Sequence, residues 1–285
     1  FHHVRRHVKP KRDLVKRKKY REYWWLHAEP CQAMRDAIAG HGRFMATAVL
    51  TKHRLFGWVD GAVLPDHQLI AFARSDDYFF GVLHSSIHEL WARRQGTQLR
   101  EAESGFRYTP TTCFETFPLP WSPGSEPSGD LLHEAISTGA AELDAQRERW
   151  LNPPEWVKPI EEKIDRFDSF DDVAEVSGEE ARRLIRQSAI DAACAADKRL
   201  KKRTLTNLYN ERPAWLAMAH EKLDRAVIAA YASVDPAGDW DPDWAAVFKA
   251  TGAGQPTSDE GEGAKREEVE QKILANLLRM NQERG

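Results

Sequence analysis

Cysteine is scarce in this chain of 285 residues, and long apolar runs are absent. The three cysteines, Cys31, Cys113 and Cys194, lie far apart and form no Cys-x-x-Cys pair, which argues against a disulfide framework or a zinc cluster and favours a reducing cytoplasm. Cys113 is expected to pack inside a strand. No stretch approaches the roughly 18 apolar residues of a membrane span. A basic segment follows Phe1 directly, so we expect a piece of a longer protein rather than a native start or a signal peptide.

The net charge of −3 conceals two segments of opposite sign. Ten Lys or Arg residues lie between Arg5 and Glu22, against Asp13 and Glu22 itself. Between residues 155 and 180 acidic residues dominate. The basic N-terminal third is therefore where a polyanion would bind, although a solvated charge run has the same composition.

Residues 1–121 have the pattern of an α+β domain. A basic linker or exposed helix (1–22) precedes a short helix at 33–39, which Gly40 and Gly42 end. Short β-rich runs at 43–51, 55–59 and 69–73 predict a small antiparallel sheet. Ser75-Asp76-Asp77 suits the N-cap of a single amphipathic helix at 78–94, and two further strands are predicted at 106–108 and 112–117.

A helical region is predicted from residue 122 to residue 285. Helical periodicity occurs at 131–151, 179–200, 215–231 and 265–284. Residues 157–176 are acidic and predicted to be irregular, and residues 251–263 have the composition of a disordered linker. We therefore expect two domains, 1–121 and 122–285.

Two sequence elements in residues 43–121 carry a family resemblance. Thr51-Lys52-His53-Arg54-Leu55-Phe56 lies in the β-rich stretch, and Phe106-Arg107-Tyr108-Thr109-Pro110-Thr111-Thr112 with Phe114-Glu115-Thr116-Phe117-Pro118 follows the amphipathic helix. Together they resemble the target-recognition region of MmeI-like bacterial DNA methyltransferases. Leu205-Thr206-Asn207-Leu208-Tyr209-Asn210 is similar to the helical tail that follows this region in such enzymes.

The resemblance implies base-reading residues in the turn at 51–54. A Ser-Glu-Arg-Arg-type motif reaches base edges at this place in the family, and Thr51-Lys52-His53-Arg54 replaces it here. Lys52 and Arg54 are the predicted base-reading side chains, with His53 as a backbone or water-mediated contact. Lysine and arginine bind O6 and N7 of guanine in the major groove, so Lys52 in place of an acid is expected to favour guanine over cytosine.

Other cationic side chains are predicted to contact phosphates, which supplies affinity without sequence choice. These are Lys9, Lys11, Arg12, Lys16, Arg17, Lys18, Lys19, Arg21, Arg43, Arg93, Arg94 and Arg107. Five more, in the run from Lys198 to Arg203, can hold a DNA backbone or form a solvated turn; the sequence leaves both interpretations open.

The resemblance further implies an adenine-N6 methyltransferase of a bacterial restriction or phage-defence system. Its catalytic domain would precede Phe1, bind S-adenosylmethionine and flip the adenine out of the duplex. This chain has no Gly-rich loop in the required strand–turn–helix context, and Asn152-Pro153-Pro154-Glu155 follows a helix and lacks the aromatic residue of a catalytic loop. We therefore expect no cofactor, metal or catalytic residue here, and no activity without the methyltransferase domain. The expected partners are double-stranded DNA, that domain and other defence subunits, with no membrane.

Two alternatives are weighed against DNA reading. His84 and His88 have metal-ligand spacing, but Ser85 replaces the acid of His-Glu-x-x-His and no third ligand is evident. The chain can also be a protein-interaction module of a defence complex, with residues 155–180 and the helix at 265–284 as its contact surface. Steep salt dependence of duplex binding would distinguish DNA reading from this second function.

Overall fold

The fold is α+β, as the sequence predicts. A computed structural model describes residues 2–26, 31–98, 105–167, 171–248 and 260–284. The strands are β1 Arg43–Ala48, β2 Leu50–Thr51, β3 Phe56–Asp60, β4 Leu69–Phe72, β5 Thr97–Gln98 and β6 Phe106–Arg107. The helices are α1 His2–His7, α2 Lys9–Asp13, α3 Lys18–Glu22, α4 Gln32–Ile38, α5 Asp77–His84, α6 Ser86–Gln95, α7 Leu131–Leu151, α8 Pro154–Phe167, α9 Asp171–Ala196, α10 Leu205–Glu211, α11 Ala214–Val234 and α12 Glu260–Arg284.

The strands form two small antiparallel sheets. The first has the order β3-β1-β4 and the second the order β2-β6-β5. Only Val49 separates β1 from β2, so the chain passes from one sheet to the other within a single residue. The segment that follows β2 therefore connects two sheets. β1 and β3 pair antiparallel with Thr47 opposite Phe56, so residues 48–55 form the connection of a hairpin, and within this connection β2 pairs with β6 of the second sheet.

The strand predicted at 112–117 is wrong. Pro110–Phe114 form a π-helical turn, in which the Glu115 amide donates to the Pro110 carbonyl at 2.9 Å. Proline suits the start of a helical turn because its missing N–H has no partner to lose there. Cys113 is fully buried, but in this turn and not in a strand.

The single helix predicted at 78–94 is two helices with a break at Ser85. Ser85 is extended (φ −70°, ψ 156°), and its side chain accepts from the backbone N–H of His88 to cap α6. Serine competes with the helix backbone in this way and favours a cap over a helix interior. The cap predicted before α5 is confirmed, because Asp76 Oδ1 accepts from the Phe79 amide at 2.8 Å.

One hydrophobic core extends from the sheets into the helical region. It includes Phe56 of β3, Phe80 of α5, Ile136 of α7 and Tyr231 of α11, all fully buried. The α5 and α7 backbones approach closely at Gly81, where an added Cβ would lie 2.8 Å from Ile136 Cγ2. The division at residue 121 stays a prediction, and residues on both sides of it share this core.

The helical region contains more helix than the sequence indicated. Residues 157–176 were expected to be irregular, but α8 and α9 cover 154–167 and 171–196, with a break at Gly178 (φ 84°). Of the predicted linker, residues 251–259 lie outside the described residues and residues 260–263 belong to α12. The apolar face of α12 packs into the core through Val269, Ile273 and Leu277. In the part of the chain that the structure covers, no helix has the length and apolarity needed to cross a bilayer.

The basic N-terminal segment forms three short helices, α1 to α3, with no buried residue in any of them. Exposed helix was one of the two forms expected for residues 1–22. Trp24, which follows α3, is buried, while Tyr23 and Trp25 are about half exposed. These short helices bury no side chain, and most of their cationic side chains are exposed to solvent.

Candidate nucleic-acid interface

The turn at residues 51–54 links the two sheets at the surface of the α+β region. Thr51 Oγ1 donates to the carbonyl of His53 at 3.0 Å, which closes the turn on itself. Gly105 lies against it with φ +79°, and a Cβ there would come 2.2 Å from the Thr51 carbonyl oxygen. The backbone of the turn is thus fixed by the chain that leads into β6. A fixed backbone is what a side chain needs in order to meet a base edge in one register.

Arg54 does not reach the surface, contrary to its predicted base-reading role. Its side chain is 3% exposed. The guanidinium donates to Thr47 Oγ1 at 3.1 Å, to the Ala48 carbonyl, and to the Phe106 carbonyl at 3.1 Å. Its carbon lies 4.6 Å and 4.8 Å from the rings of Phe106 and Tyr108. Buried guanidinium needs such partners, and here they belong to both sheets, so Arg54 joins β1 to β6.

Lys52 is exposed and His53 is half-buried beside it. Lys52 Nζ donates to Asn210 Oδ1 at 2.9 Å, and His53 Nε2 lies 2.9 Å from the same oxygen. One amide of α10 therefore holds both side chains of the turn. Asn210 was not predicted as a site residue. Its contact with the turn spans 158 residues of sequence, a distance that no local pattern reveals.

The charge states of the turn follow from burial. Desolvation lowers the pKa of His53 below its ordinary value of 6.5 despite the hydrogen bond to Asn210, so the ring is neutral at pH 7. Burial also lowers the pKa of Arg54 to about 10, which leaves the guanidinium charged. Lys52 is thus the cation that the turn presents to solvent, with His53 as a neutral hydrogen-bonding neighbour.

Two of the predicted phosphate-binding arginines, Arg93 and Arg107, lie beside this turn. Arg93 on α6 donates to the Lys52 carbonyl at 3.4 Å and forms an ion pair with Glu89 at 2.6 Å. Arg94 follows it on the same helix and is exposed. Arg107 is exposed on β6, paired with Leu50 and Thr97 of the neighbouring strands. The structure therefore brings Arg93 and the backbone of Arg107 next to the segment that carries Lys52.

Arg43 and the N-terminal cations lie in other surroundings. Arg43 stacks on Trp58, 3.8 Å from the ring, and pairs with Asp77 at 2.8 Å, so part of its charge is already neutralised. In the N-terminal segment, the side chains of Lys9, Arg12 and Arg21 donate hydrogen bonds to acceptors within residues 13–26. Lys11, Lys16, Arg17, Lys18 and Lys19 are exposed there.

The histidines with metal-ligand spacing are buried and engaged in hydrogen bonds. His84 Nε2 lies 3.1 Å from the Tyr209 hydroxyl and 3.1 Å from an Arg147 nitrogen. His88 lies 2.8 Å from the Leu83 carbonyl and 3.0 Å from the Tyr108 hydroxyl. Burial lowers the pKa of both rings. Within the described ranges, no group of His, Cys, Asp or Glu is arranged to hold a metal ion.

Comparison with known protein families matches the region that contains this turn. Residues 34–121 match the family model described as MmeI, target recognition domain. The match begins in α4, includes both sheets, the turn at 51–54 and the π-helical turn, and ends at Trp121. No curated protein and no solved structure gave a significant match. Residues 34–121 are therefore a target recognition domain of the MmeI type, the part of a restriction–modification methyltransferase that recognises DNA sequence.

Proposed function

We propose that this chain reads a specific sequence in double-stranded DNA through the turn at residues 51–54, with Lys52 as the main base-contacting side chain. The observation that carries the proposal is the position of this turn, exposed and fixed, inside the matched target recognition domain. His53 lies beside Lys52 on the same amide and completes the reading surface. Arg54 takes no part in base contact because its guanidinium is buried and its two terminal nitrogens donate to groups inside the protein.

The chemistry of Lys52 suits guanine. An ammonium group has three donors, and the Asn210 amide oxygen accepts one of them. The remaining donors match O6 and N7 on the major-groove edge of guanine, at roughly 1–3 kcal/mol of discrimination for a good pair of contacts. Asn210 restricts the position of the ammonium and so reduces the side-chain entropy lost on binding.

Phosphate contacts are assigned to the exposed cations near the turn. Arg107 is exposed on the strand that pairs with β2, Arg94 is exposed on α6, and Arg93 can contribute while it bridges Glu89 to the turn. The exposed cations of residues 9–21 extend the same role along the duplex. Arg43 contributes only if it leaves Asp77. Contacts of this kind set affinity and register and leave the choice of sequence to the turn.

The catalytic partner is proposed to be an adenine-N6 methyltransferase domain of the same enzyme. That domain supplies S-adenosylmethionine and the catalytic residues, and it flips the target adenine out of the duplex. The enzyme would act in the cytoplasm of a bacterium, in restriction or phage defence. Sequencing that detects N6-methyladenine in the DNA of cells making the enzyme tests this. The methylated motif must coincide with the motif that this chain binds; methylation at cytosine would contradict the adenine assignment.

Fluorescence anisotropy with a labelled 30-base-pair duplex tests DNA binding by the chain itself. We expect the logarithm of the binding constant to fall linearly with the logarithm of salt concentration, with a slope near −0.9 for each neutralised phosphate. A slope of about −4 or steeper corresponds to the cations assigned above. Weak binding that does not change with salt would contradict the proposal and favour a protein-interaction module.

A further inference from the structure

A cleft of about 680 Å³ lies between the junction of α7 with α8 and the junction of α9 with α10. Its lining is two tryptophans, five cations and one acid: Trp150, Trp156, Lys198, Arg199, Lys201, Lys202, Arg203 and Glu211. The cleft is outside the matched recognition domain. Its five cationic side chains face Glu211, and Asp197 pairs with Arg199, which leaves a net excess of positive charge, the electrostatic signature of a polyanion site.

The arginines of the cleft are held in place by the tryptophans. The guanidinium carbon of Arg203 lies 4.7 Å from both the Trp150 and the Trp156 ring, and its Nη1 donates to the Trp150 carbonyl at 2.7 Å. Arg199 lies 5.0 Å from the Trp156 ring and pairs with Asp197 at 2.9 Å. Because guanidinium groups cover the rings, the tryptophans orient arginines rather than offer faces for bases to stack on.

The lysines occupy the rim of the same cleft. Lys198, Lys201 and Lys202 are exposed, and a short 3-10 helix (Leu200–Lys202) carries two of them. The buried side chain of Leu200 anchors that helix. Oriented guanidinium groups with exposed ammonium groups beside them match a phosphodiester, which accepts paired hydrogen bonds from arginine and is attracted by the point charge of lysine.

The cleft adjoins the turn of the recognition domain. Asn210, which holds Lys52 and His53, is followed directly by Glu211, which lines the cleft. Consecutive Cα atoms are about 3.8 Å apart, and each DNA strand carries a phosphate every 3.4 Å or so along the helix axis. The residue that holds Lys52 is thus separated from a residue of the cleft by a distance close to the spacing of neighbouring phosphates.

We infer that this cleft binds the phosphodiester backbone of the DNA that the recognition domain reads, as a second contact supplied by the helical region. The inference rests on the proposed function. It assigns the run from Lys198 to Arg203 to the DNA backbone and gives the helical region a part in binding. Because the arginines of the cleft lie against both tryptophan rings and point their donors at a phosphate rather than at bases, the cleft contributes affinity and register and no sequence preference.

The test compares two triple variants of the 285-residue chain in the salt series with the labelled duplex. The cleft variant is Lys198→Gln, Lys201→Gln and Lys202→Gln. The control removes three exposed lysines elsewhere, as Lys163→Gln, Lys222→Gln and Lys265→Gln, so both lose the same charge. We expect the cleft variant to bind more weakly, with a slope less steep by roughly 2–3, about 0.9 for each lost phosphate contact. The control should keep the slope of the original chain.

The outcomes distinguish failure of the cleft inference from failure of the proposed function. If the cleft variant equals the original chain, or if both variants change equally, the cleft is not a phosphate site while the proposed function stands. If the original chain itself binds without salt dependence, the proposed function fails first. Arg203→Lys keeps the charge but loses the planar fork, so we expect weaker binding with an unchanged slope. Binding equal to that of the original chain would contradict the role of the fixed guanidinium, and melting curves establish that each variant is folded.

Discussion

Arg54 donates a hydrogen bond of 3.1 Å to the carbonyl oxygen of Phe106, and this bond ties the turn of the recognition domain to the second sheet. The same guanidinium reaches Thr47 of the first sheet. Arg54, which the sequence predicted to read bases, therefore holds the two sheets together instead. Lys52, two positions earlier, is exposed, so neighbouring cations of one motif have opposite roles.

Replacing Arg54 should therefore weaken the fold. Arg54→Met leaves the carbonyl oxygens of Ala48 and Phe106 buried without the guanidinium donors that they accept from. We expect a loss of about 3 kcal/mol in the free energy of unfolding. Urea denaturation measures it, with Arg94→Met as the exposed control, expected to change stability by less than about 0.5 kcal/mol. An unchanged midpoint for Arg54→Met would show that the buried bonds do not matter.

Gly105 should tolerate no side chain. Gly105→Ala puts a Cβ 2.2 Å from the Thr51 carbonyl oxygen, at a φ of +79° that L-residues rarely adopt. The turn must shift, and we expect a loss of more than about 1 kcal/mol of stability together with weaker DNA discrimination. Gly57→Ala is the matched control, because nothing lies within 4 Å of a Cβ there. Equal behaviour of the two variants in urea would contradict the close packing described here.

Asn210 should matter for discrimination more than for folding. Asn210→Ala frees both Lys52 and His53 from their common acceptor. We expect about 1 kcal/mol less preference for the cognate duplex over a scrambled one, roughly a fivefold change in the ratio of dissociation constants. Gln271→Ala, which removes an exposed amide from α12, should leave that ratio unchanged. A ratio unaltered in Asn210→Ala would mean that the α10 contact does not orient the turn.

The buried Asp224 should give the protein a specific pH dependence. It accepts from the amide and hydroxyl of Ser86 at 2.7 and 2.6 Å, and burial raises its pKa from 3.8 to about 7. Between about pH 4 and pH 7 the folded state holds a proton that the unfolded chain has lost. The contribution of Asp224 to the free energy of unfolding therefore falls as pH rises through this window.

Asp224→Asn removes that titration and retains an acceptor and a donor for Ser86. We expect the stability of the variant relative to the original chain to increase between pH 4 and pH 8, measured by urea midpoints. The comparison cancels the contribution of the buried histidines, His84, His88 and His220, which both proteins share. A difference that is constant with pH would show that Asp224 is ionised throughout the folded state.

The sequence predicts the elements of this fold better than their connections. Apolar periodicity locates α7 and α11, and the cap chemistry of Asp76 marks the start of α5. It misses the break at Ser85, because the apolar stripe continues across it, and it takes the π-helical turn at Pro110–Phe114 for a strand, because threonine and phenylalanine favour strands.

For the site, the sequence locates the turn but not the direction of its side chains. Arg54 and Lys52 have the same type of charge in one motif, and only the position of β6 decides which of them is buried. Asn210 and the tryptophans over Arg203 lie far away in the chain, so their roles depend on tertiary packing. Long-range contacts of this kind leave no local pattern.

The most direct test of sequence reading by the turn is selection from a library of randomised duplexes. The original chain should enrich one defined sequence containing guanine, and Lys52→Glu should enrich a sequence changed at that position, with cytosine favoured because a carboxylate accepts from its N4 amino group. If the original chain enriches no sequence, or if Lys52→Glu enriches the same one, the turn at residues 51–54 does not read DNA through Lys52.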